Sequence, residues 1–315
     1  MRMRKWKARP VGRRALLVLM LAAMASNGAG QSASESEVSR ALDGAIDIHV
    51  HAFPDDRARS VDGVEAAELA LSAGMRAIVL KNHYVSTAGL AYIVRRQVPG
   101  IEVFGGIDLN LTVGGINPAA VRYMTRVSGG WGRFVWMPTF DSENQARFSE
   151  EDRPFVSVSR GGELLPEVEE VIALIAEHDL ILATGHSAAE EGLMLLREGR
   201  RQRVGRMVVT HAMNAPILMD IGQMQEAARL GAFIEFVGSS MRTPDARERV
   251  DRFADAIRRI GPEFCILSSD LGQAQNELPP DGFAAFLNAL QSRGFSEEEI
   301  DQMSKENPAR LLGLS

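Results

Sequence analysis

A short run rich in apolar and β-branched residues, followed by a stretch with helical spacing, recurs eight times along this chain. That alternation constrains the fold more than any other feature. The strand readings are Ala45–His51, Arg76–His83, Glu102–Asn110, Arg133–Thr139, Leu180–His186, Arg206–His211, Ala232–Val237 and Phe264–Asp270. Helical patterns follow them, among them Asp62–Ala73, Thr87–Gln97, Ala188–Gln202, Ile221–Leu230, Pro244–Ile260, Phe283–Arg293 and Glu297–Leu312. In Pro166–Glu177 the apolar residues fall at 168, 171, 172 and 175, one face of a helix. Asn117-Pro118 supplies an N-cap and a proline at the first helical position. The even spacing predicts α/β architecture, a single (β/α)8 TIM barrel over residues 45–315, rather than two domains. The alternative is an open doubly wound sheet, but no G-x-G-x-x-G follows the first strand reading. In a barrel the functional groups collect at the C-terminal ends of the strands. The connection Phe140–Leu165 is unusually long, and Phe155–Leu164 reads as a hairpin around Gly161-Gly162, a candidate lid or a plain insertion.

Residues 1–30 carry seven basic residues and no acidic one, and Ala15–Ala25 is an uncharged apolar run. A membrane-spanning helix needs roughly twenty apolar residues, so this run is too short. Basic segment, apolar segment and the small residues of Ala23-Met24-Ala25 together predict a signal peptide over 1–30, with a cut there or near Gly30. Arg13-Arg14 resembles a twin-arginine signal, and an uncleaved anchor is the alternative. The expectation is export, to a bacterial periplasm, with a linker over 31–44. Without the leader's basic residues the net charge moves from −6 to −13. A body this acidic is poorly suited to nucleic acid or to an anionic membrane surface. The single cysteine, Cys265, excludes an internal disulfide and any multi-cysteine metal site, and reads as a small buried hydrophobe.

Five of the six histidines end strand readings: His49 and His51, His83, His186 and His211; His178 ends a helix and reads as surface. Asp270 ends the eighth strand reading. His49 and His51 share a strand face at a spacing of about 6.6 Å, close enough to approach one ion. Imidazole with carboxylate suits a divalent metal, Zn2+ before iron, manganese or nickel. The expected ligands are His49, His51 and His186 for one firmly held ion, with room for a second at His211. Such an ion lowers the pKa of bound water to about 7. Asp270 is the expected base and then acid, with weak coordination of the metal as its second expected role; Glu235, on the seventh strand reading, reads as a packed or paired carboxylate.

These residues resemble the amidohydrolase superfamily. Asp47-Ile48-His49-Val50-His51 is similar to its strand-one D-x-H-x-H. Gly185-His186, Thr210-His211 and Ser268-Ser269-Asp270 are similar to its strand-five and strand-six histidines and its strand-eight catalytic aspartate. Glu306–Leu314 resembles its terminal N-P-A-x-L-L-G-L. The resemblance implies a (β/α)8 fold, one or two metals, and hydrolysis of an amide, ester, lactone or phosphoester. One departure stands out. Where many two-metal members carry a carboxylated lysine or a glutamate on strand four, this chain has Trp136-Met137-Pro138-Thr139. Strand two carries Lys81-Asn82-His83 instead. Three readings of Lys81 stand side by side: a carboxylated bridge between metals, an active-site cation, and a salt bridge to an acid such as Asp47. His83 reads as a ligand or a substrate contact. The pattern marks an uncharacterised branch.

Arg57, Asn110, Asn117, Trp136 and Thr139 fall on the expected active face and are candidate substrate contacts, with Arg57 able to clamp a carboxylate or phosphate. The expected partner is a small-molecule substrate, and a homo-oligomer is compatible with the sequence. The leading expectation is a metal-dependent hydrolase of an amide, lactone or ester bond. The alternatives are a phosphoesterase, a decarboxylase, and a non-catalytic periplasmic metal- or ligand-binding protein.

Overall fold

All eight strand readings form strands, and they pair in chain order. The computed structural model describes residues 41–314. The first four are β1 (Ile46–His51), β2 (Ala77–Lys81), β3 (Glu102–Asp108) and β4 (Gly132–Trp136). Next comes the small hairpin β5 (Ser159–Arg160) and β6 (Glu163–Leu164), then β7 (Ile181–Ala183), β8 (Arg206–Val209), β9 (Ala232–Val237) and β10 (Cys265–Ser268). The sheet runs β1-β2-β3-β4-β7-β8-β9-β10, every pairing parallel. It closes where His51 N donates to Leu271 O at 2.8 Å, beside a parallel bridge from Val50 to Leu271. This is the (β/α)8 barrel that the alternation predicts.

Helices separate the strands: α1 (Gly63–Ser72), α2 (Ala88–Gln97), α3 (Pro118–Thr125), α4 (Glu143–Phe148), α5 (Pro166–Glu177), α6 (Ala189–Arg201), α7 (Ile221–Arg229), α8 (Ala246–Ile260) and α9 (Pro279–Gln291). Asn117 caps α3, its side chain accepting from Ala119 N and Ala120 N. The terminal helix reading resolves into α10 (Glu297–Asp301), a wider π turn over Gln302–Glu306, and α11 (Asn307–Leu312). The sequence reading missed α4, which lies in the long β4–α5 connection. Ser142 starts it by accepting from Gln145 N.

The apolar residues sort into two layers. Ile46, Ile48, Val79, Phe104, Phe134 and Trp136 fill the barrel, and Leu311 and Leu312 of α11 join them from its N-terminal end. The larger cluster lies between strands and helices and includes Cys265, fully buried as expected. Burying one such aliphatic or aromatic side chain stabilises by about 1.5–3 kcal/mol. His178 is exposed. Among the described residues no helix is long and apolar enough to cross a membrane. The signal-peptide reading over 1–30 and most of the linker lie outside the described residues.

Candidate metal centre and active site

The site starts from an irregularity in β1. Asp47 pairs with Ile78 and Val50 with Leu80, so β1 spends one more residue than β2 over this stretch. That bulge changes the alternation. Ile46 and Ile48 face the barrel interior and Val50 faces the helix layer, which leaves His49 and His51 both turned inward. A bulge also strands a backbone N–H. Here Asp47 Oδ1 accepts from His49 N and, across the barrel seam, from Ser269 N, each at 3.0 Å. Burial raises the Asp47 carboxyl to about 6 against these bonds.

At the floor of the barrel mouth, His49 Nε2 and His51 Nε2 face Asp270 Oδ1 at 3.2 and 3.1 Å. These three residues each offer one ligand atom, all within 4.8 Å of one another. Burial pushes His51 down to about 3, so its imidazole is neutral and keeps a lone pair. Burial works to raise Asp270, but His49 beside it and the hydrogen bond with His51 outweigh it and hold the carboxyl well below the usual range. Ser239 Oγ donates to its other oxygen at 3.0 Å. Two imidazoles, that of His51 neutral, and an ionised carboxylate are a donor set that fits a divalent cation. Asp270 and His211 both hold left-handed backbone, with φ of 50° and 25°. Such strain costs about 1–3 kcal/mol per residue and tends to persist at functional sites.

Asp270 is the residue that completes the close group with His49 and His51. His186 stands farther round, its ring 5.0 Å from that of His211, and its Nδ1 is hydrogen-bonded to Gln145 Oε1 at 2.9 Å. His211 lies between, 5.9 Å from the His49 ring, with its Nδ1 buried and without a hydrogen-bond partner. Burial lowers the His211 imidazole to about 4 and that of His186 well below its ordinary value.

A second ring of groups orients the first. Glu235 Oε1 accepts from His49 Nδ1 at 3.0 Å and from Ser268 Oγ at 2.7 Å, while Oε2 accepts from His211 N at 2.8 Å. Burial raises this carboxyl, but His49 and His211 beside it outweigh that and bring it to about 2. An ionised Glu235 fixes the tautomer of His49 and turns Nε2 toward Asp270. The reading of Glu235 as a paired carboxylate holds, and its partner is the centre itself.

Lys81 departs from the Asp47 salt bridge. Its Nζ lies 3.1 Å from His49 Nε2, 3.9 Å from Asp108 Oδ2 and 5.1 Å from the centre of the Trp136 ring. Asp47 is spent on the bulge instead. Asp108 escaped the sequence reading, although alternation from Phe104 through Gly106 puts it on the inward face. Burial raises its carboxyl to about 6. Its Oδ2 accepts from Thr139 Oγ1 at 3.0 Å and meets His83 Nδ1 at 3.2 Å.

A cavity of about 490 Å³ opens above the floor, lined by the five histidines, Asp270 and Lys81 below and by residues such as Arg57, Arg59, Phe140 and Gln145 above. Of the five candidate substrate contacts only Arg57 lines it. Trp136 packs inside the barrel, stacked on Phe134 with ring centres 4.7 Å apart. Asn110 and Thr139 are fully buried and bonded to each other at 2.7 Å and to His83. Asn117 is spent on its cap. These four were placed by strand-end position alone, and the strands end earlier than read. The hairpin forms around Gly161-Gly162, yet none of its residues lines this cavity; α4 supplies Gln145 instead.

A family described as of unknown function (DUF6282) matches residues 44–235. No curated protein matches the chain. Among solved structures, an amidohydrolase from Burkholderia multivorans with bound zinc is similar at a TM-score of 0.60 and 14% identity, over 86% of this chain and 99% of that one. An amidohydrolase from Pseudomonas aeruginosa gives 0.59 and 11%, over 88% and 98%. A phosphotriesterase homology protein from Escherichia coli, complexed with phosphate in its active site, gives 0.57 and 17%, over 85% and 98%. At these identities the likeness is one of fold, and it is the fold that the sequence resemblance implies.

Proposed function

Since the chain belongs to the DUF6282 family of unknown function, we propose from its own site that it is a metal-dependent hydrolase of a small molecule, acting on an amide, lactone or ester bond. The observation that carries this reading is the convergence of His49, His51 and Asp270 on one point at the floor of a roomy cavity. His49, His51 and Asp270 would hold a divalent cation, zinc by the donor set, and His211 and His186 stand ready beside them. A cation there supplies Lewis acidity and makes water a usable nucleophile near neutral pH. Asp270 takes the proton of the attacking water and returns it to the leaving group. Glu235 keeps His49 in the ligating tautomer. His83, with Nδ1 held by Thr139 and Asp108, turns its other nitrogen to substrate. Lys81 acts as an unmodified cation in this reading. Its surroundings are a carboxylate, an aromatic face and an imidazole nitrogen, and a carboxylated lysine would set an anion against the first two.

The test is metal analysis of the purified protein, followed by a screen of lactones, amides, esters and phosphoesters. His49→Ala and His51→Ala should each bring metal well below one equivalent. Unchanged metal in both variants removes the centre, and full metal without turnover favours a non-catalytic binding protein. A phosphoesterase is the second reading, supported by the phosphate-bound neighbour of the same fold; preferential turnover of phosphoesters in the screen would select it. Under the same proposal the chain is exported, by its basic and apolar leader.

A further inference from the structure

Two arginines stand out among the cavity's hydrogen-bonding groups, and three of the four side-chain amides that line it are spent within the protein. Gln145 holds His186, Asn214 exchanges bonds with Ser240, and Gln273 donates to Asp270 O and accepts from Asn276. The arginines are not. Arg59 has a fully buried side chain, yet only its Nε–H is used, on Asp55 Oδ2 at 2.7 Å. Nη2 touches that same oxygen at 2.7 Å but makes no hydrogen bond, although it is buried. A guanidinium carries five N–H donors. Asp55 takes up the Nε and Nη2 side of Arg59, while Nη1 makes no hydrogen bond within the protein and the residue lines the cavity. Arg57 stands beside it on the same connection. Asp56 takes its Nε–H at 2.9 Å, Tyr84 Oη accepts from Nη2 at 2.8 Å, and Nη1 has no partner. Its guanidinium lies 4.6 Å from the centre of the Phe140 ring, which holds the plane in place over the cavity.

The geometry points to an anion subsite: Arg57 and Arg59 read a carboxylate or phosphate group carried by the substrate. A planar guanidinium matches either oxyanion in bidentate fashion. The inference rests on the proposed hydrolase reading for the word substrate, but the subsite itself is testable by binding alone.

The experiment titrates succinate, inorganic phosphate and neutral succinamide into the metal-loaded protein, with metal content measured for every variant. Both anions should bind at least tenfold more tightly than succinamide. Arg57→Met and Arg59→Lys should each weaken the anions at least fivefold with metal content held. Arg59→Lys keeps a cation against buried Asp55, and if it fails to fold, Arg57→Met alone carries the test. The tighter anion names the source, carboxylate or phosphate monoester. Succinate and phosphate no tighter than succinamide, or unaffected by the substitutions, overturn the subsite. Arginine-dependent anion binding without turnover in the screen supports the subsite and removes the hydrolase; turnover without anion discrimination does the reverse.

Discussion

Asp270 stands where ligation and proton transfer meet. One oxygen faces both imidazoles and the other accepts from Ser239, so the carboxylate is held while keeping a lone pair for a proton. Asp270→Asn keeps the shape and the ligating oxygen but cannot take that proton. On any substrate the wild-type protein turns over, this variant should lose about 10²–10⁴ in kcat, the usual size of an acid–base contribution. It should also retain more metal than His49→Ala. Turnover near that of wild type would assign the proton to another group. At the same scale, Glu235 shows how a residue outside the cavity decides chemistry inside it, since its charge sets which nitrogen of His49 faces Asp270.

The element that matters most is β1. Without its extra residue, strict alternation from Ile46 and Ile48 would send His49 and His51 to the helix layer. The bulge is stable because Asp47 satisfies the freed amide and ties it to Ser269 across the seam. Asp47→Ala leaves two buried N–H groups unmet and should cost about 2–5 kcal/mol in denaturant unfolding of the metal-loaded protein. Asp47→Asn keeps an acceptor oxygen in place and should cost far less. Equal losses in the two variants would show that charge, not the acceptor, is what the bulge needs. The β2 and β3 ends follow the same economy. Asp108 Oδ2, Thr139 and Asn110 bond to one another or to His83, so two residues that look like substrate contacts from position stand instead as the wall behind one.

At the scale of the whole molecule, the barrel joins residues from 49 to 270 in one site. If the leader is a signal peptide, the exported protein should begin after Ala25 or near Gly30, as N-terminal sequencing of the secreted or periplasmic form would read; an intact leader in the cytosol would contradict it. The sequence by itself determined the alternation, its closure as a barrel, and the strand ends that carry histidines. Those signals are local: periodicity within ten or so residues, caps, and motifs such as Asp47–His51. Only the tertiary structure decided that Asp270 joins His49 and His51 in the close group, that Lys81 meets Asp108 rather than Asp47, and that Trp136 fills the interior while Arg59 is buried against Asp55. Each of these depends on register and close approach between strands far apart in the chain. A one-residue shift at Asp47–Val50 redirects the side chains that follow it, and no local pattern records that shift.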